Sequence, residues 1–167
     1  MASKANRLIT FPTVSWPESS MRWHLLDDII KKNNVKKMTE VGVRDGRNIF
    51  YLLDNNPKLE VIAIDGSIKG FYNDAVKEKY GKRLKPIEAL SDEASFQVKD
   101  NSQDLIFIDA DHSYKWVKKD IVNYRKKLKK GGWLTGHDID RVGVNRAVKE
   151  TLSSYDIGPN YVWFTQL

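Results

Sequence analysis

The chain contains no cysteine. That excludes a disulfide framework, a thiolate metal site and a cysteine nucleophile. Long apolar runs are also missing. Stretches such as LIFI at 105–108 fall far short of the roughly 20 residues a spanning helix needs, so a membrane-spanning protein is excluded. No Gly/Ser/Pro-rich linker, internal repeat or low-complexity segment divides the 167 residues, and the length suits one domain. The N-terminus, MASKANRLITFPTVSW, lacks the apolar core of a secretory signal, and a cytoplasmic location is expected.

What is present is ordinary in bulk, with 41% hydrophobic and 30% charged residues. Formal net charge is +6. Such an excess suits an anionic partner, nucleic acid included, or is a solvated lysine surface. Much of it lies between Lys115 and Lys130, opposite an apolar stripe and not interleaved with exposed aromatics, which favours the solvated surface.

Short β-branched runs alternate with helical patterns. Residues 1–15 read as irregular. Ser15, Pro17 and Glu18 are placed to open a helix whose stripe is Met21, Leu25, Leu26, Ile29 and Ile30, ending at Asn33 and Asn34. Strands are predicted near 38–43, 60–65, 84–89, 104–109, 132–137 and 161–166. Helices are predicted between them near 46–54, 68–80, 91–98, 114–129 and 142–153, with Gly131 and Gly132 ending the fourth of these five. Strands that are apolar throughout are buried on both faces. With helices between them they predict an α/β protein: a Rossmann-like, doubly wound, mostly parallel sheet. Ligands bind beyond the carboxyl ends of such strands, so those ends carry the candidate residues.

The first strand ends Glu40-Val41-Gly42-Val43-Arg44-Asp45-Gly46. Its glycines permit a tight turn and close approach of a ligand. A pyrophosphate loop would read GxGxxG, whereas this one reads ExGxxxG. Carboxylates at 40 and 45 repel phosphate but suit an ammonium or sulfonium. The second strand ends Asp65-Gly66-Ser67, with Asp65 nineteen residues beyond Gly46. An acid at that spacing is placed to accept ribose hydroxyls. After the third strand, Ala89, Leu90 and Ser91 can frame a flat base. The fourth strand ends Asp109-Ala110-Asp111-His112, and the fifth Gly136-His137-Asp138. Neighbouring strands lie about 4.8 Å apart, so Asp109, His137 and Asp138 are expected to converge. Carboxylates with imidazoles suit a divalent cation, or a general base with an orienting acid. Two of the chain's three histidines sit at these two ends.

In order and spacing, EVGVRDGRN, VIAIDGS, PIEALSDEA, DLIFIDADHSYKWVKKDI and LKKGGWLTGHDI resemble the motifs of class I S-adenosylmethionine-dependent methyltransferases. The closest likeness is to a small group with DADHSY, GG and GHD, covering about residues 38–150. The resemblance implies S-adenosyl-L-methionine as cofactor. Glu40, Gly42, Arg44, Asp45 and Gly46 would wrap its methionine end, Asp65, Gly66 and Ser67 its ribose, and Ala89, Leu90 and Ser91 its adenine. Asp109 would face methyl donor and acceptor, and His112 would take the acceptor's proton. In related metal-dependent O-methyltransferases the position of Asp109 is a metal ligand, with two more after the fifth strand. Here these are His137 and Asp138, where relatives usually carry Asp-Asn or Asp-Asp. Mg2+ or another divalent cation is the corresponding expectation.

The implied reaction is O-methylation of a small molecule or sugar. The alternatives are a nucleic-acid methyltransferase and a non-catalytic S-adenosylmethionine-binding subunit. The (D/N)PP(Y/F) signature of base-methylating relatives is missing after the fourth strand. Residues 1–37 are expected to cover a cofactor-binding domain at 38–167. The C-terminal hairpin is expected to be shortened, with one clear strand (YVWFTQL), leaving a sheet edge as a candidate homodimer surface.

Overall fold

The computed structural model describes residues 16–167. The expected irregular stretch 1–15, and capping by Ser15, lie outside the described residues. Seven strands form one sheet: β1 (Lys37–Val41), β2 (Glu60–Asp65), β3 (Leu84–Glu88), β4 (Gln103–Ile108), β5 (Leu128–Gly136), β6 (Asp156–Ile157) and β7 (Trp163–Gln166). Their spatial order is β3-β2-β1-β4-β5-β7-β6. The first five are parallel; β7 runs antiparallel to both β5 and β6. Among the described residues six α-helices cover it: α1 (Arg22–Asn33), α2 (Arg47–Asn55), α3 (Asp74–Tyr80), α4 (Ser91–Ser95), α5 (Tyr114–Arg125) and α6 (Val142–Thr151). This is the predicted doubly wound Rossmann-like architecture.

Alternation along buried strands divides the core into two layers. Leu105 and Phe107 of β4 meet Leu26, Ile29, Ile49 and Leu52 of α1 and α2. Ile106 and Ile108 face Val117, Ile121, Val144 and Val148 of α5 and α6. The chain winds outward from β1 to β3 in one direction and from β4 to β5 in the other. A crevice therefore opens where β1 and β4 lie side by side.

Several boundaries differ from the sequence reading. Helix α1 starts at Arg22, not near residue 17. Pro17 instead begins a turn that the Ser20 N–H closes onto the Pro17 carbonyl, and His24 Nδ1 accepts the Met21 N–H to cap the helix. The helix expected at 68–80 breaks into a 3-10 turn (Ile68–Gly70) and α3, because Asn73 accepts the Val76 N–H and caps anew. Helix α5 stops at Arg125, and Gly131 and Gly132 lie inside β5. Gly131, at φ +80°, lies within a register shift in the pairing of β4 with β5, between Leu128 and Trp133. The C-terminus holds a two-strand hairpin rather than one strand; β6 has only two residues, too short for any periodicity to reveal.

Candidate active site

Three parallel ladders carry the site. Val41 of β1 pairs with Ile64 of β2 and Ile108 of β4, and Ile108 pairs with Gly136 of β5. The residues just beyond these pairs emerge together. The Asp109 N–H donates to the Val41 carbonyl, the Gly42 N–H to Ile64, and the His137 N–H to Ile108. Gly42 (φ +88°) passes so close to the end of β4 that a Cβ there would lie 2.3 Å from the Asp109 carbonyl oxygen.

A cavity of about 870 Å³ opens above these ends. Its wall includes Glu40, Gly42, Arg44, Asp45, Asp65, Gly66, Ala89, Leu90, Ser91, Asp109, His112, His137 and Asp138. All the candidate residues but two therefore face one space. Gly46 points away, into Phe50 and Phe71, and serves the packing of α2; Ser67 lies outside the wall. Asp65 does more than spacing suggested. Its Oδ2 accepts the N–H groups of Val43 and Arg44, both at 2.9 Å, and its Oδ1 that of Ser67 at 3.0 Å. The acid that closes β2 thus also shapes the β1–α2 loop.

Glu40 is buried beneath that loop, where Asn48 Nδ2 donates to its Oε2 at 2.6 Å. Burial raises its pKa from 4.5 to about 8, the Asn48 hydrogen bond opposing and the Asp109 charge adding to the rise. Between those values the folded chain keeps a proton that the unfolded chain releases. Stability therefore falls as pH rises, by up to about 1.4 kcal/mol per unit from this group. His137 titrates in the same sense. Glu40→Gln should reduce the slope of unfolding free energy between pH 5 and 8, measured by urea denaturation. An unchanged slope would locate the proton elsewhere.

At the opposite wall, Asp109 and Asp138 each divide their oxygens. Asp109 Oδ2 accepts from Arg22 Nη1 at 2.5 Å, while Oδ1 lies 3.5 Å from His137 Nδ1 and 3.8 Å from His112 Nε2. Asp138 Oδ2 lies 2.7 Å from His112 Nε2, while Oδ1 lies 3.3 Å from His137 Nδ1 and 3.4 Å from Arg141 Nε. Burial alone would lower the pKa of His137, but interaction with Asp109 and the charge of Asp138 outweigh it and raise it. Burial would raise the carboxyl of Asp138, yet the neighbouring His137 and His112 hold it below its usual value. Asp138 also adopts φ +58°, a strained conformation for a residue with a side chain.

Residues 39–139 match the methyltransferase domain family, well over half of the chain. The chain belongs to that family. It is a class I S-adenosylmethionine-dependent methyltransferase, as its motifs implied. A protein of Acanthamoeba polyphaga mimivirus is 26% identical over 152 residues, covering 80% of this chain and 69% of that one. Among solved structures, a candidate caffeoyl-CoA O-methyltransferase from Staphylococcus aureus is 19% identical with a TM-score of 0.66; the match covers 86% of this chain and 81% of that one. A TDP-rhamnose 3′-O-methyltransferase of calicheamicin biosynthesis is 20% identical with a TM-score of 0.65, covering 85% and 77%. These structural likenesses show the fold. No helix among the described residues is long and apolar enough to cross a membrane.

Sequence reasoning missed four residues that contact the candidate site. Arg22 reaches Asp109 from 87 positions away, and Arg141 leans on Asp138 from the start of α6. Asn48 holds Glu40 from the first turn of α2. Asn160, in the turn before β7, lies 3.3 Å from His137 Nε2. Only Asn48 left a signal: a polar residue on the buried face of an amphipathic helix, close after the acid it meets.

Proposed function

We propose that the enzyme transfers the methyl group of S-adenosylmethionine to an oxygen of a small molecule or sugar. The observation that carries this reading is the convergence of Asp109, His112, His137 and Asp138 on one wall of the cavity. The glycine loop, Asp65 and residues 89–91 form its other end. The O-methyltransferases among the structural neighbours support the same reading.

In this proposal Glu40, Gly42, Arg44 and Asp45 receive the methionine end, Asp65 and Gly66 the ribose, and Ala89, Leu90 and Ser91 the adenine. The described part of the N-terminal segment covers the site, with Met21, Arg22 and Trp23 in the cavity wall. The acceptor oxygen attacks the methyl carbon in line as the carbon–sulfur bond breaks, so positioning does most of the work. With His112 Nε2 donating to Asp138, its Nδ1 is the atom that takes the acceptor's proton. Asp138 is then the orienting acid.

The residues also fit a divalent cation. Ligand atoms of Asp109, His137 and Asp138 lie within 4.8 Å of one another, and His137 Nδ1 is buried with no hydrogen bond. When bound, such a cation supplies Lewis acidity that eases loss of the acceptor's proton.

The net positive charge is a weak argument for a nucleic-acid acceptor. Lys118, Lys119, Lys127 and Lys129 are each ion-paired, to Glu150, Asp92, Asp100 and Asp104. Methyl-labelled S-adenosylmethionine, supplied with separated small-molecule and nucleic-acid fractions of a cell extract, tests the proposal. Label is expected in a small-molecule ether stable to alkali; label in nucleic acid would overturn it. His112→Ala should slow transfer about 10²–10⁴-fold, with partial recovery at high pH where the hydroxyl ionises unaided.

A further inference from the structure

We infer that Asp109, His137 and Asp138 form a site selective for a transition-metal dication of the Mn2+, Fe2+ or Zn2+ kind over Mg2+, and that Asn160 is the residue that sets His137 for it. The inference rests on the proposed site and adds what class of ion that site takes.

Orientation is the first ground. Each carboxylate spends one oxygen outward, Asp109 Oδ2 on Arg22 and Asp138 Oδ2 on His112. The two Oδ1 atoms turn toward His137 Nδ1, at 3.5 Å and 3.3 Å, with Arg141 Nε 3.4 Å from that of Asp138 and His112 Nε2 3.8 Å from that of Asp109. Two carboxylate oxygens and a ring nitrogen facing one another make an inward donor set with a net negative charge. Donor atoms bound to one centre at about 2.1 Å stand roughly 3–4 Å apart, close to the spacing here.

The second ground is the imidazole. His137 Nδ1 is buried and hydrogen-bonds nothing, although the ring's other nitrogen has a partner. In the tautomer whose Nε2–H donates to Asn160 Oδ1, 3.3 Å away, the lone pair sits on Nδ1 and faces the two carboxylates, where a cation would take the place of a proton. A ligating histidine held through its far nitrogen is the usual arrangement around a metal. Asn160 is held there at some cost. It and Tyr161 adopt φ +54° and +59°, two successive left-handed residues with side chains. The Ile139 N–H donates to the Tyr161 carbonyl and ties this turn to the loop after β5.

The third ground is ligand chemistry. Mg2+ is hard, keeps much of its water and prefers oxygen donors. Imidazole nitrogen suits Mn2+, Fe2+, Co2+ and Zn2+. An all-oxygen set would leave that choice open, whereas His137 biases it.

Chelator-stripped full-length protein, titrated calorimetrically with Mn2+, Zn2+ and Mg2+, tests the inference without turnover. One equivalent of Mn2+ or Zn2+ is expected to bind at least about a hundredfold more tightly than Mg2+. His137→Asp makes the set all-oxygen and should shrink the Mn2+/Mg2+ affinity ratio at least tenfold. Asn160→Ala should weaken Mn2+ about 10–100-fold while circular dichroism stays unchanged. Nitrogen hyperfine coupling in the electron paramagnetic resonance of bound Mn2+ should vanish in His137→Asp. Absence of Mn2+ and Zn2+ binding at millimolar concentration, or an unchanged ratio in His137→Asp, overturns the inference. S-adenosylhomocysteine titrated into the same samples separates the two failures. Its binding without metal sinks the ion site alone, and its absence sinks the functional reading as well.

Discussion

Asp109→Ala should reduce methyl transfer about 10²–10⁴-fold, a loss comparable to that of a general base, because this carboxylate holds Arg22 and faces both His112 and His137. This carboxylate is the hub of the site. It meets Arg22 at 2.5 Å, His137 at 3.5 Å and His112 at 3.8 Å. Truncation leaves the partly buried Arg22 guanidinium without its anion and removes one of the three inward donors. Cofactor affinity should suffer less, because Asp65 and the β1–α2 loop stay in place. Binding of S-adenosylhomocysteine is expected to weaken by less than about tenfold. Arg22→Gln, which keeps the carboxylate, should cost less turnover than Asp109→Ala. Turnover of an identified acceptor close to the parent's in Asp109→Ala would show that the reaction is centred elsewhere in the cavity.

Gly42→Ala should destabilise the fold by about 3–5 kcal/mol, combining the strain of a left-handed backbone with that of an overfilled contact. An added Cβ would stand 2.3 Å from the Asp109 carbonyl oxygen and 2.6 Å from Ala110 Cα and N. All three are backbone atoms at the end of a central strand, so nothing flexible can yield. Relief requires β1 and β4 to part where the site is built, and cofactor binding should fall with stability. Gly66→Ala is the control: it has no positive φ, and its Cβ would meet nothing within 4 Å. Its stability, measured beside Gly42→Ala by guanidinium unfolding, should stay within about 0.5 kcal/mol of the parent. A similarly small effect of Gly42→Ala would mean that the strand ends are not held so closely.

Much of this site was legible because of how parallel sheets are wired. Strands such as DLIFID and EVIAID read as buried from their apolar runs, and the residue that ends each run must emerge at the ligand-binding edge. Asp65, Asp109 and His137 could be named on that ground alone, and Glu40 from the ExGxxxG loop beside it. The errors fell where local preference competed with packing. Pro17 and Glu18 fit a helix start but form a turn, and the glycines at 131 and 132 look like a stop but lie within a bulged strand.

The sequence by itself determined the fold class and which residues stand at the strand ends, because hydrophobic periodicity and glycine placement act over a few neighbouring positions. Only the tertiary structure decided which oxygen of each carboxylate turns inward, that Arg22 and Asn160 stand beside the candidate residues, and that burial raises the pKa of Glu40. Those outcomes depend on burial and on partners as far as 87 positions away, and no local pattern records what the folded chain brings side by side.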